Sequence, residues 1–233
     1  LLIYLGERSL IAYDEGYYAL QARWILDKGN WIAPLWFDKV VLDRTIGIQF
    51  LIAISQKIFG ANFFAIFLPI SLASILMLFL TYLIHKELLG KRFAIISPLI
   101  LITTFLWLNY ANMITQDIIY SAAITFGIFS NIKACKSKKR IYFLFSGIWI
   151  GLAFMFKTYL TFVPLIAIIP FLIQKKIIIK KLFWLGLIIG FLPFLIWSFS
   201  ILKVYGFEIY SGLFEKLLIL SKNNIFTNPF YYY

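Results

Sequence analysis

Between residues 62 and 204 the sequence is a succession of long apolar runs separated by short clusters of lysine and arginine. A helix needs about 20 mostly apolar residues to cross the hydrocarbon core of a bilayer, where every backbone hydrogen bond must be made internally. Runs of this kind lie at 62–84, 93–110, 118–134 and 182–204. The stretch 141–173 is long enough for two. Lys157 and Thr158 interrupt it and Pro164 and Pro170 follow, which predicts short helices at 141–156 and 159–173 meeting at a polar break. A composition of 62% hydrophobic and 14% charged residues leaves too little polar side chain to cover a soluble surface. The expected fold class is therefore all-α, a polytopic transmembrane helix bundle.

The basic clusters give the bundle a direction. The segments at 85–92, 133–140 and 175–181 hold twelve of the 22 lysines and arginines in few residues, and such clusters mark cytoplasmic loops. Alternation then places 7–61, the turn at 111–117, the break at Lys157 and the segment 205–233 on the outer side. Nine of the ten acidic residues fall in those outer segments, and only Glu87 lies inside. That distribution is independent support, because acidic residues contribute little to orientation. The net charge of +12 reflects these topological clusters rather than a basic amphipathic face, so nucleic acid is not an expected partner. Cys135, the only cysteine, excludes an intrachain disulfide or a cysteine-based metal cage.

The first outer segment, 7–61, is too long for a plain connector and too apolar for a flexible one. Its pattern predicts one helix from Tyr13 to Leu26, stopped by Gly29 and Asn30, and a second over 46–60 ending on Gly60. Both are rich in aromatic and apolar residues and suit interfacial, juxtamembrane helices. Asp14 and Glu15 open the first helix, where either an N-terminal capping role or a carboxylate directed into a cavity fits. Asp117 stands at the mouth of a span and has the same two readings. Lys157, in an otherwise apolar run, is either a snorkelling side chain or the cation of an anion site.

The string DEGYYALQARWILDKGNWIAP, the acidic-basic pair in VVLDRTIG and the Asp117 in ANMITQD resemble the amino-terminal half of the GT-C polyprenyl-phosphate-dependent glycosyltransferases. That family includes aminoarabinose transferases and protein O-mannosyltransferases. GLAFMFKTYLTFVPL and NPFYYY resemble later segments of the same family, so the likeness runs through the whole of 1–233. It implies a GT-C bundle of which this chain is the amino-terminal part, the carboxyl-terminal part being absent. It also implies a bacterial cytoplasmic (inner) membrane location with the active site on the outer face. The implied activity moves a sugar from a polyprenyl-phosphate donor to a lipid, protein or cell-envelope glycan.

The resemblance assigns Asp14 as the catalytic carboxylate, with Asp117 and Glu15 as further catalytic candidates. It assigns Arg44, Lys157, Tyr18 and Asp43 to the donor phosphate and substrate. The resemblance assigns no definite cofactor, and a divalent cation held by Asp117 with Glu15 or Asp43 stays open as an alternative. The sequence departs from the family pattern in lacking the two prolines after Asp43 and Arg44, in carrying Thr158 after Lys157, and in having Asn223 and Asn224 near the terminal aromatic motif. Its only histidine, His85, lies in a segment assigned to the other side. Two rival classes use the same residues without glycosyl transfer: a transporter or flippase for a lipid-linked anion, and a non-catalytic scaffold of the same fold.

Overall fold

The computed structural model describes residues 9–10, 14–137 and 139–222, with side chains as far as Glu215. Tyr13, Glu7 and the NPFYYY segment with Asn223 and Asn224 lie outside the described residues. The elements in chain order are α1 (Asp14–Lys28), β1 (Leu35–Trp36), β2 (Lys39–Val40), α2 (Gly47–Phe59), α3 (Phe63–Leu89), α4 (Ile96–Thr103), α5 (Phe105–Ala111), α6 (Gln116–Ser137), α7 (Ile141–Lys157), a 3₁₀ turn (Thr158–Thr161), α8 (Phe162–Gln174) and α9 (Lys181–Lys222).

Among the described residues, four helical stretches are long and apolar enough to cross a membrane: Phe63–Leu89, Gln116–Ser137, Ile141–Gln174 and Lys181–Glu215. The chain is an integral membrane protein. Ile141–Gln174 is not one straight rod. Phe143 near the start of α7 and Leu172 near the end of α8 share one buried cluster with Ala134 and Phe183, so the chain reverses at the 3₁₀ turn and α7 and α8 run antiparallel. The same logic orients the rest. Lys133 pairs with Glu87, and His85 meets the Ser97 hydroxyl at 2.6 Å, which gathers the basic segments at one end of the bundle. Trp197 donates to the Ile32 carbonyl at 2.7 Å, and Asn30 donates to the Tyr205 hydroxyl at 2.8 Å. These bonds bind the middle of α9 to the segment between α1 and α2, at the opposite end.

The tightest crossing is between α7 and α9. Gly147 and Gly151 on α7 face Gly186 and Gly190 on α9, both pairs spaced small-xxx-small. A Cβ on Gly147 would stand 2.2 Å from the Phe183 carbonyl oxygen, and one on Gly190 would stand 2.1 Å from that of Ile148. In lipid, where hydrophobic driving force between helices is weak, such close backbone approach supplies the packing. Gly190→Leu is therefore expected to force the two helices apart, and the detergent-extracted protein should lose its monodisperse peak in size-exclusion chromatography.

Two expectations from the sequence need correction. The run at 93–110 is not one helix but α4 and α5, separated at Thr104, whose backbone is extended (φ −74°, ψ 133°). Thr103 and Thr104 direct their hydroxyls back to the carbonyls of Ile100 and Leu101, both at 2.8 Å, a local bonding pattern that competes with the helical ladder. The run at 182–204 does not end there. α9 continues to Lys222, and Gly206 (φ 79°) breaks its line at a position where glycine adopts a positive φ without steric cost. Elsewhere only element ends shift: the Ile46 carbonyl accepts the Phe50 N–H at 2.9 Å, so α2 begins at Gly47 inside the expected 46–60, and α3 runs on from the expected 84 to Leu89.

Candidate functional site

The site grows from one short segment, Asp43-Arg44-Thr45, which lies between the hairpin and α2. Thr45 is buried and donates its hydroxyl to the Phe156 carbonyl at 3.0 Å, at the end of α7. Gln116, in the first turn of α6, donates its side-chain amide to the Thr45 carbonyl at 3.3 Å. Three elements from distant parts of the sequence are thus tied at one point, and Arg44 is fixed between them. Gly47 permits this: a Cβ there would lie 2.4 Å from the Met155 carbonyl oxygen.

Arg44 spreads its guanidinium over three partners. One terminal nitrogen donates to the Tyr18 hydroxyl, the other sits 3.1 Å from Asp14, and Nε lies 3.6 Å from Asp43. Tyr17 donates its hydroxyl to Asp43 at 3.0 Å. Burial works against the charge of Arg44, but the Tyr18 hydroxyl and the Asp14 carboxylate outweigh it and raise its pKa above the ordinary arginine value. Burial likewise pushes the Tyr18 phenol up to about 12, against the lowering effect of Arg44. Burial and then Asp43 raise that of Tyr17. Both phenols stay neutral at physiological pH and keep an O–H to donate.

A second ion pair faces the first. Lys157, the last residue of α7, lies 2.8 Å from Asp117 in the first turn of α6. Both pairs line one cavity of about 280 Å³, walled further by Tyr18, Tyr159 and Leu213. Phe156 lines both this polar chamber and an apolar cavity of about 770 Å³ between α2, α3, α6, α7 and α9. The backbone beyond Lys157 is held in an unusual state: Thr158 has φ 43° and ψ −126°, a conformation natural for glycine and strained for a β-branched residue. Threonine is accommodated at this position at a conformational cost, which is the physical content of its departure from the glycine common in the resembling family.

Of the seven residues singled out in the sequence, Asp14, Asp117, Arg44, Lys157, Tyr18 and Asp43 all line this cavity. Glu15 does not. Its side chain is buried and accepts the Ile114 backbone N–H at 3.1 Å, fastening α1 to the loop before α6. The proposed divalent cation loses its ligands in the same way, since Glu15 points elsewhere while Asp43 is bonded to Tyr17 and Asp117 to Lys157. Among the described residues no three His, Cys, Asp or Glu side chains gather closely enough to hold a metal. The residues present do not fit a carboxylate-bound metal.

The helix-capping alternative for Asp117 also gives way, because the residue sits inside the first turn of α6 and extends to Lys157. Thr45, Gln116 and Tyr17 were missed. Each is adjacent in sequence to a residue that was found, and their polar side chains next to DR, D and Y were the available signal.

The bundle and its ion-paired chamber define an integral membrane protein of GT-C type. The chain belongs to the dolichyl-phosphate-mannose-protein mannosyltransferase family, whose profile matches residues 43–197. The matched region includes Asp43, Arg44, Asp117 and Lys157; Asp14 and Tyr18 precede it. The chain is 26% identical over 188 residues to an undecaprenyl phosphate-alpha-4-amino-4-deoxy-L-arabinose arabinosyl transferase of Shewanella sediminis, covering 78% of this chain and 34% of that one. It is 28% identical over 239 residues to a second such transferase from Proteus mirabilis, covering 98% and 43%. The crystal structure of ArnT from Cupriavidus metallidurans bound to undecaprenyl phosphate superposes with a TM-score of 0.80 at 16% identity, over 91% of this chain and 41% of that one. The apo structure of the same protein gives the same values. The chain thus spans about a third to two-fifths of the length of the curated relatives it matches.

Proposed function

We propose that this chain forms the donor-binding and catalytic-base half of a membrane glycosyltransferase. It uses a polyprenyl-phosphate sugar donor on the outer face of a bacterial inner membrane, and its acceptor is a lipid, protein or envelope glycan. The observation that carries the reading is the sharing of Phe156 between an apolar cavity and a chamber with two cations and a half-exposed carboxylate. A prenyl chain fits the first and a phosphate the second. Site residues at one end of the bundle, opposite the basic clusters, support the outer-face assignment under the positive-inside rule. The relatives, named as undecaprenyl phosphate-dependent arabinosyl transferases, support it.

In the reaction, the acceptor hydroxyl oxygen attacks the anomeric carbon, and the bond from that carbon to the phosphate oxygen breaks with its electron pair leaving on the phosphate. The hydroxyl proton passes to Asp14. Arg44 and Lys157 stabilise the departing polyprenyl phosphate, a role that a site partly shielded from water strengthens. Both cations are engaged by carboxylates before the donor arrives, Arg44 by Asp14 and Lys157 by Asp117. A phosphate that takes the N–H groups of Arg44 frees Asp14 from its partner, so donor binding readies the base.

The test is release of undecaprenyl phosphate from an undecaprenyl-phosphate sugar by the full-length protein in proteoliposomes. Lys157→Met is expected to weaken binding of undecaprenyl phosphate by about 10- to 100-fold, the loss of one charge-assisted contact, measured by lipid-phosphate titration in nanodiscs. Undiminished binding in that variant, or lipid binding without release by the wild type, would count against the assignment.

A further inference from the structure

Asp117 lines a further cavity as well as the polar chamber it shares with Lys157. This cavity, about 360 Å³, lies between α3, α5 and α6, and its walls include Thr104, Leu106, Trp107, Tyr110 and Ser121. Two of its features point to a ligand. Trp107 is only 5% exposed, and its indole N–H meets no acceptor among the described residues. A buried donor without an acceptor is costly, so an oxygen entering the cavity gains by taking that N–H. Asp117 is the one charged residue in these walls, and its side chain stays 44% exposed although it holds Lys157 at 2.8 Å. A carboxylate has room for about four hydrogen bonds, so a second donor can share it. The surroundings say where that donor comes from. α4 and α5 carry the chain from the basic end of the bundle, where α3 stops, to the site end, where α6 begins. Their outward surface is bare and apolar, with Phe105 80% and Leu106 69% exposed, and in a membrane such a surface meets acyl chains.

We propose that this cavity seats the headgroup of an aminophospholipid from the surrounding bilayer. The primary ammonium sits on Asp117, a phosphate or ester oxygen accepts the Trp107 N–H, and the acyl chains leave over Leu106 and Phe105. The single negative charge of the walls selects a cationic end and disfavours an anionic headgroup such as phosphatidylglycerol. The trimethylammonium of phosphatidylcholine carries no N–H for the carboxylate, so phosphatidylethanolamine is the headgroup that matches both features. Trp107 and Tyr110, three residues apart on α5, suit this depth, since indole and phenol rings gather at the level of the headgroups. Binding has a consequence for the neighbouring chamber. An ammonium on Asp117 competes with Lys157 for the carboxylate and frees the lysine for the polyprenyl phosphate. That consequence rests on the glycosyltransferase reading, whereas the lipid site itself does not.

Native mass spectrometry of the full-length protein in detergent tests the site, with phosphatidylethanolamine, phosphatidylcholine and phosphatidylglycerol of identical chains as competing probes. Phosphatidylethanolamine is expected to be retained about three- to tenfold over the other two, the worth of one hydrogen bond to a charged group in a partly exposed setting. Asp117→Asn should abolish the preference, and Trp107→Phe, which keeps a ring but removes the N–H, should weaken retention of phosphatidylethanolamine. Equal retention of the three lipids by the wild type, or a preference that survives Asp117→Asn, would overturn the proposal. A Trp107→Phe protein without a thermal transition is judged on Asp117→Asn alone. Soluble phosphoethanolamine, which has no chains, should compete poorly, and competition as strong as that of the lipid would overturn the bilayer as the source. Titration of undecaprenyl phosphate in nanodiscs of phosphatidylcholine, with or without phosphatidylethanolamine, then reads the consequence: affinity should rise about two- to fivefold with the amine lipid. Unchanged affinity beside an intact lipid preference would overturn the link to Lys157 alone. Absence of undecaprenyl phosphate binding in both nanodiscs would overturn the glycosyltransferase reading, while the lipid site stands or falls by its own spectra.

Discussion

Asp14→Asn should lower sugar transfer by about 10²–10⁴-fold while leaving donor binding intact, the range lost when a positioned general base is removed. The substitution keeps the size of the side chain and its place at the start of α1, so folding is not the variable. What changes is the carboxylate that Arg44 now holds at 3.1 Å. Asparagine no longer neutralises the guanidinium. Undecaprenyl phosphate should therefore bind Asp14→Asn as tightly as wild type or more tightly, although turnover falls. A rate measured by release of undecaprenyl phosphate and an affinity measured by titration separate the two effects. A loss of affinity parallel to the loss of rate would mean that Asp14 supports the donor site and does not act as base.

Arg44→Met has the opposite signature. It removes a group that bridges Tyr18, Asp14 and Asp43 and leaves two carboxylates side by side without their shared cation. Hydrogen bonds to charged groups are worth about 1.5–3 kcal/mol each, so losing two of them predicts a fall in undecaprenyl phosphate affinity of about 10²-fold or more. Arg44→Lys should recover only part of it, because an ammonium is a point charge and cannot reach three partners from one planar fork. Titration of the lipid phosphate against both variants checks this. Equal affinity in Arg44→Lys and wild type would show that charge alone matters and that the fork geometry does not.

How much of this was legible from the residues depends on what kind of signal each feature leaves. Apolar length and basic clusters carried the bundle because a bilayer imposes the same demand on every helix that crosses it. The sequence places Asp14, Arg44, Asp117 and Lys157 up to 143 residues apart, and their meeting follows from the alternation of passes, which returns each to the same end. Glu15 was misread for a different reason. Two adjacent carboxylates at a helix start look alike in sequence, but neighbouring residues on a helix point about 100° apart, so one meets the chamber while the other meets the Ile114 amide. The break at Thr104 was also out of reach, since threonines are common in apolar helices and only their hydroxyl geometry shows the ladder interrupted. α9 runs past its apolar stretch while Tyr205 and Trp197 bond to the segment before α2, contacts that apolar length does not register, and Gly206 alone marks the turn.

The glycine crossing of α7 and α9 sets the height of a charge. Lys157 is the final residue of α7, and the four glycines that interlock the two helices lie one to three turns below it. Because backbone meets backbone there, with no side chain to repack, the helices cannot slide by a fraction of a turn to suit a thicker or thinner bilayer. A slip of one whole turn would displace the ammonium by about 5.4 Å, more than the reach of a hydrogen bond. The crossing therefore acts as a datum: it keeps the cation at one depth relative to α9 whatever the surrounding lipid, and under the proposed function it leaves the prenyl chain of the donor, not the protein, to absorb differences in membrane thickness.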